Sequence, residues 1–145
     1  MTAPTRILVT GSRNWDDHLA VHEALVGACY QRVPAVVVHG ACPSGADAIA
    51  SWWVRQYGHI GVTEEPHPAE DFGAWPGCGP RRNLHMVELG ADLCLAFIGP
   101  CTSPRCGRVG SHPSHGASGC ANLADAVGIP VRWFPLRDTR GGDAA

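Results

Sequence analysis

The sequence lacks the features that mark several large classes of protein. Only 17% of its 145 residues are charged and its formal net charge is −2, so it offers little of the basic surface that general nucleic-acid-binding domains use. It has no apolar run of membrane-spanning length and no signal-peptide pattern of a charged start followed by an apolar stretch. We therefore expect a cytoplasmic protein that binds neither nucleic acid in general nor a membrane.

The chain also lacks internal repeats and low-complexity tracts. Hydrophobic residues make up 45% of the sequence, which is typical of a folded globular protein and not of a disordered one. A chain of this length is enough for one hydrophobic core. We predict a single domain over residues 1–136 and a flexible polar tail over residues 137–145.

Short apolar runs alternate with stretches of helical period, which is the pattern of βαβ units around a parallel sheet. The predicted strands cover residues 6–10, 35–39, 60–64, 93–98 and 131–134. The predicted helices cover about residues 17–30, 46–57, 79–90 and 117–127, with Asp16 as the N-cap of the first. The pattern predicts an α/β fold with helices on both faces of about five mainly parallel strands.

Three loops that contain glycine each follow a predicted strand and precede a helix, at residues 11–15, 40–47 and 114–119. In an open parallel sheet, ligands bind beyond the carboxyl ends of the strands. Glycine lets the backbone approach a ligand, and a helix start offers unpaired N–H groups that suit phosphate. Arg13 adds a guanidinium that can bind phosphate oxygens in a fork. The three loops together favour a phosphate site, and the lack of a Walker A or complete G-x-G-x-x-G motif argues against an ATPase or a standard dehydrogenase.

Several stretches carry a family resemblance: ILVTGSR at residues 7–13, HGACPSGAD at 39–47, GPRRNLHM at 79–86, ADLCLAF at 91–97, SHGA at 114–117 and GIPV at 128–131. In this order and spacing the chain resembles the SLOG superfamily, most closely its YspA-like branch of small proteins of unknown function. The resemblance covers about residues 5–134. It implies a single Rossmann-like three-layer domain with strand order 3-2-1-4-5, recognition of a nucleotide or nucleotide-derived ligand, and a homodimer.

The same superfamily contains the "lonely guy" phosphoribohydrolases, whose arginine-bearing helix resembles the helix with Arg82 and Met86 here. That resemblance implies a catalytic role for Arg82. In those enzymes the glycine-rich phosphate loop is followed by a catalytic glutamate, whereas the corresponding positions here are Gly119 and Cys120. The usual carboxylate for chemistry at the ribose is therefore missing, which favours binding over catalysis, although the acidic residues at positions 64, 65, 70 and 71 are an alternative source.

Seven cysteines and eight histidines are present, and the odd number of cysteines fits a disulfide framework poorly. Four of these residues lie close together in an insertion at about residues 99–115: Cys101, Cys106, His112 and His115. Zinc favours four such ligands in a tetrahedron, and a bound metal would order a segment that has no regular period. We expect a structural zinc ion, with the fourth ligand open between His115, Cys120 and Cys78.

The leading hypothesis is a nucleotide-phosphate-binding domain that acts as a sensor or binding module. Its expected pocket is formed by Gly11, Ser12, Arg13, Gly40, Gly45, Asp47, Arg82, Ser114 and Gly116. Asp47 is expected either to cap its helix or to bind a ribose hydroxyl. Trp15 or Trp75 could stack on a base, although plain packing is the favoured interpretation of both. Two alternatives remain: a hydrolase that cleaves the N-glycosidic bond of nucleoside monophosphates, and a zinc-stapled interaction module.

Overall fold

Five strands form one sheet in the order β3-β2-β1-β4-β5, and all four strand pairs are parallel. The strands are β1 Thr5–Gly11, β2 Ala35–His39, β3 Val62–Pro66, β4 Leu93–Ile98 and β5 Val131–Pro135. The computed structural model describes residues 3–103, 106–107 and 110–135, and the predicted tail lies outside them. The predicted fold class and strand order are confirmed, and the winding reverses between β1 and β4, where ligands of such sheets bind.

Four helices cover the sheet: α1 His18–Cys29, α2 Gly45–Tyr57, α3 Cys78–Glu88 and α4 His115–Ala126. Helices α1 and α2 pack on one face around Leu25 and Trp53, together with Ile7 and Val9 of β1. On the other face α3 and α4 pack against Leu8. The central strands read as continuous apolar runs because both of their faces are covered by helices.

Several predicted boundaries are wrong by one or two residues. Strand β3 begins at Val62 and not at residue 60, because a short 3₁₀ helix occupies Gly58–Ile60 and Gly61 turns the chain with φ +98°. The N-cap of α1 is Asp17 and not Asp16, since the side chain of Asp17 accepts a hydrogen bond of 3.0 Å from the amide of Ala20. Helix α4 begins two residues earlier than predicted, directly after its N-cap Ser114.

The tryptophans separate into core and surface residues. Trp53 is buried and its indole donates to His22 Nδ1, whereas the neighbouring Trp52 is half exposed. Trp15 is also buried and packs on Phe97 with ring centroids 5.5 Å apart. Packing, the favoured interpretation of Trp15, is therefore confirmed, and its ring is not placed to stack on a ligand base. Among the described residues, no helix has the length and apolar character needed to cross a membrane.

Candidate functional site

The three glycine loops meet at the carboxyl edge of the sheet. The first and second loops are joined because the amide of Ala46 donates to the carbonyl of Ser12 at 3.3 Å and Ser44 Oγ donates to the carbonyl of Arg13 at 3.1 Å. The first and third loops are joined by a hydrogen bond between the hydroxyls of Ser12 and Ser114. The structure therefore brings residues of all three predicted loops into one cluster.

Gly45 permits the close contact between the first two loops. Its φ is +75°, and a Cβ at this position would lie 2.1 Å from the carbonyl oxygen of Ser12. Gly11 is constrained as well, because a Cβ there would lie 2.2 Å from the Cβ of Ala46. A Cβ on Gly40 would meet only the flexible end of the Arg82 side chain first, at 2.4 Å, and Gly116 has no atom within 4 Å of an added Cβ. Gly11 and Gly45 are thus required by packing, and Gly116 leaves room for a ligand.

Helices α2 and α4 present their N-termini at this edge. Their N-cap residues are Ser44 and Ser114, and neither makes a side-chain capping hydrogen bond. The first amide groups of each helix therefore lack the usual side-chain acceptor. Arg13 lies beside them with an exposed side chain that makes no hydrogen bond or ion pair within the described part of the chain. This edge combines oriented N–H donors with an uncommitted guanidinium.

Asp47 is the buried acidic group of the site. Its Oδ2 accepts hydrogen bonds from the amides of Gly40 at 3.1 Å and Cys42 at 3.4 Å. Its Oδ1 is buried and has no hydrogen-bond partner among the described residues. Burial raises the pKa of the Asp47 carboxyl, against the opposing effects of His39, of the two loop amides and of Arg82. Asp47 therefore stabilises the second loop. The alternative prediction that it caps α2 is wrong, because its hydrogen bonds go to loop amides.

Arg82 projects from α3 toward the same loop. Its Nη1 donates to the carbonyls of Gly40 and of His67, the latter at 3.2 Å, and its Nε donates to Asn83 Oδ1 at 2.7 Å. The carbonyl of His67 is held in place because Glu65 accepts a 2.8 Å hydrogen bond from the His67 ring. Glu65 also binds the Arg6 guanidinium through both oxygens, and this contact is the main reason that the pKa of Glu65 falls to about 2.

The predicted Cys/His residues form a second cluster. Single ligand atoms of Cys101, Cys106, His112 and His115 all lie within 4.8 Å of one another. Cys106 Sγ is 3.3 Å from His112 Nε2 and 3.6 Å from His115 Nε2. Ligands of a tetrahedral zinc ion are about 3.3–3.8 Å apart, given its bond lengths to nitrogen and sulfur. The Nδ1 of His112 lies 3.0 Å from the Gly110 carbonyl oxygen, so Nε2 is free to bind a metal. Histidines that bind a metal through one ring nitrogen commonly hydrogen-bond such a partner through the other.

The other candidates for the fourth position lie elsewhere. Cys120 is buried among apolar side chains, Cys78 is buried at the start of α3, and neither belongs to the cluster. Burial is the main cause that raises the pKa of Cys120 to about 11, and it likewise raises the pKa of Cys94 to about 12. Such thiols stay protonated at neutral pH and are inert. The geometry therefore places His115 as the fourth member of the cluster.

Comparison with known proteins supports the resemblance seen in the sequence. The family model YAcAr, described as the YspA, cpYpsA-related SLOG family, matches residues 5–69. The chain is also 42% identical over 136 residues to the "Gene 61 protein" of Mycobacterium phage D29, a match that covers 89% of this chain and 95% of that protein. The chain belongs to the YspA, cpYpsA-related SLOG family. No solved structure matches this SLOG protein.

The family match contains the first two glycine loops and Asp47, but not Arg82, the third loop or the Cys/His cluster. The roles assigned to residues outside 5–69 are therefore argued from the geometry of this SLOG protein and not from the family match.

Sequence reasoning missed a cleft of about 450 Å³ between α2 and the edge strand β3, which Ala41, Cys42 and Pro43 of the second glycine loop also line. Within it Glu64 Oε1 accepts hydrogen bonds from His39 Nε2 at 2.7 Å and Ser51 Oγ at 2.9 Å. His39 Nδ1 in turn accepts a 3.0 Å hydrogen bond from the amide of Ala41, which identifies Nε2 as the ring nitrogen that donates to Glu64. Glu64 is the residue that could have indicated this network. It is paired in register with Val37, so its side chain lies on the face of the sheet that α1 and α2 cover.

Proposed function

We propose that this SLOG protein binds the phosphate of a nucleotide or nucleotide-derived ligand at the joined glycine loops. Family membership supports a nucleotide-related ligand in general terms. The uncapped starts of α2 and α4 offer N–H donors, and phosphate binds readily at such helix ends. The guanidinium of Arg13, which makes no hydrogen bond or ion pair in the described part of the chain, supplies a positive charge beside them.

The strongest support for this proposal is the buried Oδ1 of Asp47, which has no hydrogen-bond partner among the described residues. A buried acceptor without a hydrogen bond is destabilising by about 1–3 kcal/mol, so native proteins rarely leave one unsatisfied. Asp47 Oδ1 lies under the loops beside Arg82 and has no donor among the described residues. A ribose hydroxyl of the ligand would supply that donor. The guanidinium of Arg82 would turn away from the Gly40 carbonyl and contact the ligand.

The proposal is for binding and not for catalysis. The positions that correspond to the glutamate of the related hydrolases hold an exposed Gly119 and a fully buried Cys120. Neither residue can stabilise positive charge at a ribose or transfer a proton to a leaving base. We therefore assign Arg82 a role in ligand binding and in stabilising the second loop through its hydrogen bond to the Gly40 carbonyl.

Replacement of Arg13 tests this assignment. Arg13→Ala is expected to weaken the binding of AMP at least tenfold in isothermal titration calorimetry, because hydrogen bonds between charged groups contribute about 1.5–3 kcal/mol. Arg32→Ala is the matched control. Arg32 is also exposed, but it donates to the carbonyl of Ala28 near the amino ends of the strands, away from the glycine loops. Equal AMP affinity of wild type and Arg13→Ala would remove Arg13 from the site.

We further propose that the Cys/His cluster binds one zinc ion as a structural metal. Two sulfur and two imidazole ligands in tetrahedral reach of one another suit zinc better than the oxygen-seeking magnesium or calcium. Three of the four residues are only half buried, so apolar burial contributes little to the order of the insertion. The metal would stabilise the turn between β4 and α4.

A further inference from the structure

The Cys/His cluster and the phosphate site share a short stretch of backbone. His115 is the first residue of α4, and its neighbour Ser114 is the N-cap of that helix. The hydroxyl of Ser114 is hydrogen-bonded to the hydroxyl of Ser12 in the first glycine loop. One member of the cluster is therefore a single peptide bond away from the residue that joins the third loop to the first.

The other side of the insertion leads to the same place. The amide of Cys101 donates to the carbonyl of His112 at 2.7 Å, and Pro100 and Pro113 form an isolated antiparallel bridge. Next to this bridge, the amide of Ser114 donates to the carbonyl of Gly99 at 2.9 Å. The two ends of the insertion are thus hydrogen-bonded to each other, and the last of these bonds joins Ser114 to Gly99.

Ser12 connects this pair to the proposed phosphate site. Its buried hydroxyl accepts a 2.7 Å hydrogen bond from the amide of Gly99 and also binds the Ser114 hydroxyl. Its carbonyl accepts the hydrogen bond from Ala46 at the start of α2. Hydrogen bonds of Ser12 therefore connect Gly99 and Ser114 to the first turn of α2, and Ser12 is followed directly by Arg13.

We propose that metal occupancy of the Cys/His cluster regulates the affinity of the phosphate site through the hydrogen bonds of Ser12. This inference rests on the proposed function of the glycine loops. With the metal bound, the Gly99–Ser114 pair is fixed and the N-terminus of α4 faces the first loop. Without it, the insertion loses the bonds that order it, and the phosphate ligand binds to a less organised site. By linkage, the ligand must raise the metal affinity by the same factor.

The test compares AMP binding to zinc-loaded protein and to protein stripped of metal, with the chelator dialysed away before calorimetry. We expect about tenfold tighter AMP binding to the zinc-loaded form, within the usual range of coupling between sites. Cys29→Ala is the control for thiol replacement, because Cys29 lies at the end of α1, outside both the cluster and the glycine loops, and it should keep the zinc response. Ser12→Ala should bind zinc at the wild-type ratio but show the same AMP affinity with and without zinc.

Hydrogen exchange of the wild type provides a second measurement that needs neither AMP nor a variant. Zinc is expected to protect the amides of Ser12 and Arg13 as well as those of the insertion. Zinc binding without this protection and without a change in AMP affinity would overturn the coupling and leave the proposed phosphate site intact. Failure of AMP to bind either form would instead contradict the proposed function, and the coupling with it.

Discussion

Protein purified without chelators is expected to contain about one zinc ion per chain, and Cys106→Ser is expected to contain almost none. Cys106 Sγ lies 3.3 Å from His112 Nε2 and 3.6 Å from His115 Nε2, within reach of both imidazoles of the cluster. A serine hydroxyl is a poor zinc ligand, and removal of a thiolate leaves three ligands in a site that needs four. Elemental analysis by mass spectrometry measures the metal content of each variant directly.

The matched control for this experiment is Cys42→Ser. Cys42 is a half-buried free thiol in the second glycine loop and does not belong to the cluster, so its replacement should leave one zinc ion per chain. Because the metal is expected to order the insertion, Cys106→Ser should also melt at a lower temperature than Cys42→Ser. Wild-type protein without metal, or equal zinc content of both variants, would contradict the assignment.

Gly45→Ala is expected to lower the free energy of unfolding by about 2–4 kcal/mol. The left-handed backbone of Gly45, with φ +75°, is unfavourable by about 1 kcal/mol for alanine. The added Cβ would also lie 2.1 Å from the Ser12 carbonyl, and relief of such overpacking typically requires about 1–3 kcal/mol. Urea denaturation followed by circular dichroism gives the difference from wild type.

Gly27→Ala is the control for Gly45→Ala. Gly27 lies inside α1, and a Cβ there meets no atom within 4 Å. Alanine at this position should stabilise the protein slightly, by about 0.5–1 kcal/mol, because glycine is a poor helix former. A Gly45→Ala protein as stable as wild type would mean that the first two loops do not pack as described.

The sequence predicted the features that depend on local pattern. Short apolar runs identified the strands, and the family resemblance implied their order. The cluster was predictable because its four residues all lie within the fifteen positions from Cys101 to His115. Strand β3 was placed less well, since the turn at Gly61 depends on its left-handed backbone and not on apolar periodicity.

Contacts between distant residues could not be predicted in the same way. Trp15 follows a glycine loop, as a ligand-stacking residue would, but its position is decided by Phe97 on a neighbouring strand. Asp47 lies in the first turn of a helix, as a capping residue would, but its partners are the amides of Gly40 and Cys42 in the preceding loop. In both cases tertiary contacts override the local signal.

Mapping of AMP binding by ¹H–¹⁵N correlation spectra tests the central claim most directly, namely that the joined glycine loops bind a nucleotide phosphate. We expect saturable shifts in the amides of Ser12, Arg13, Gly45 and Gly116, with weaker changes elsewhere. Shifts confined to the α2 and β3 residues of the cleft, such as Ser51 and Glu64, or no shifts at millimolar AMP and related nucleotides, would contradict the claim.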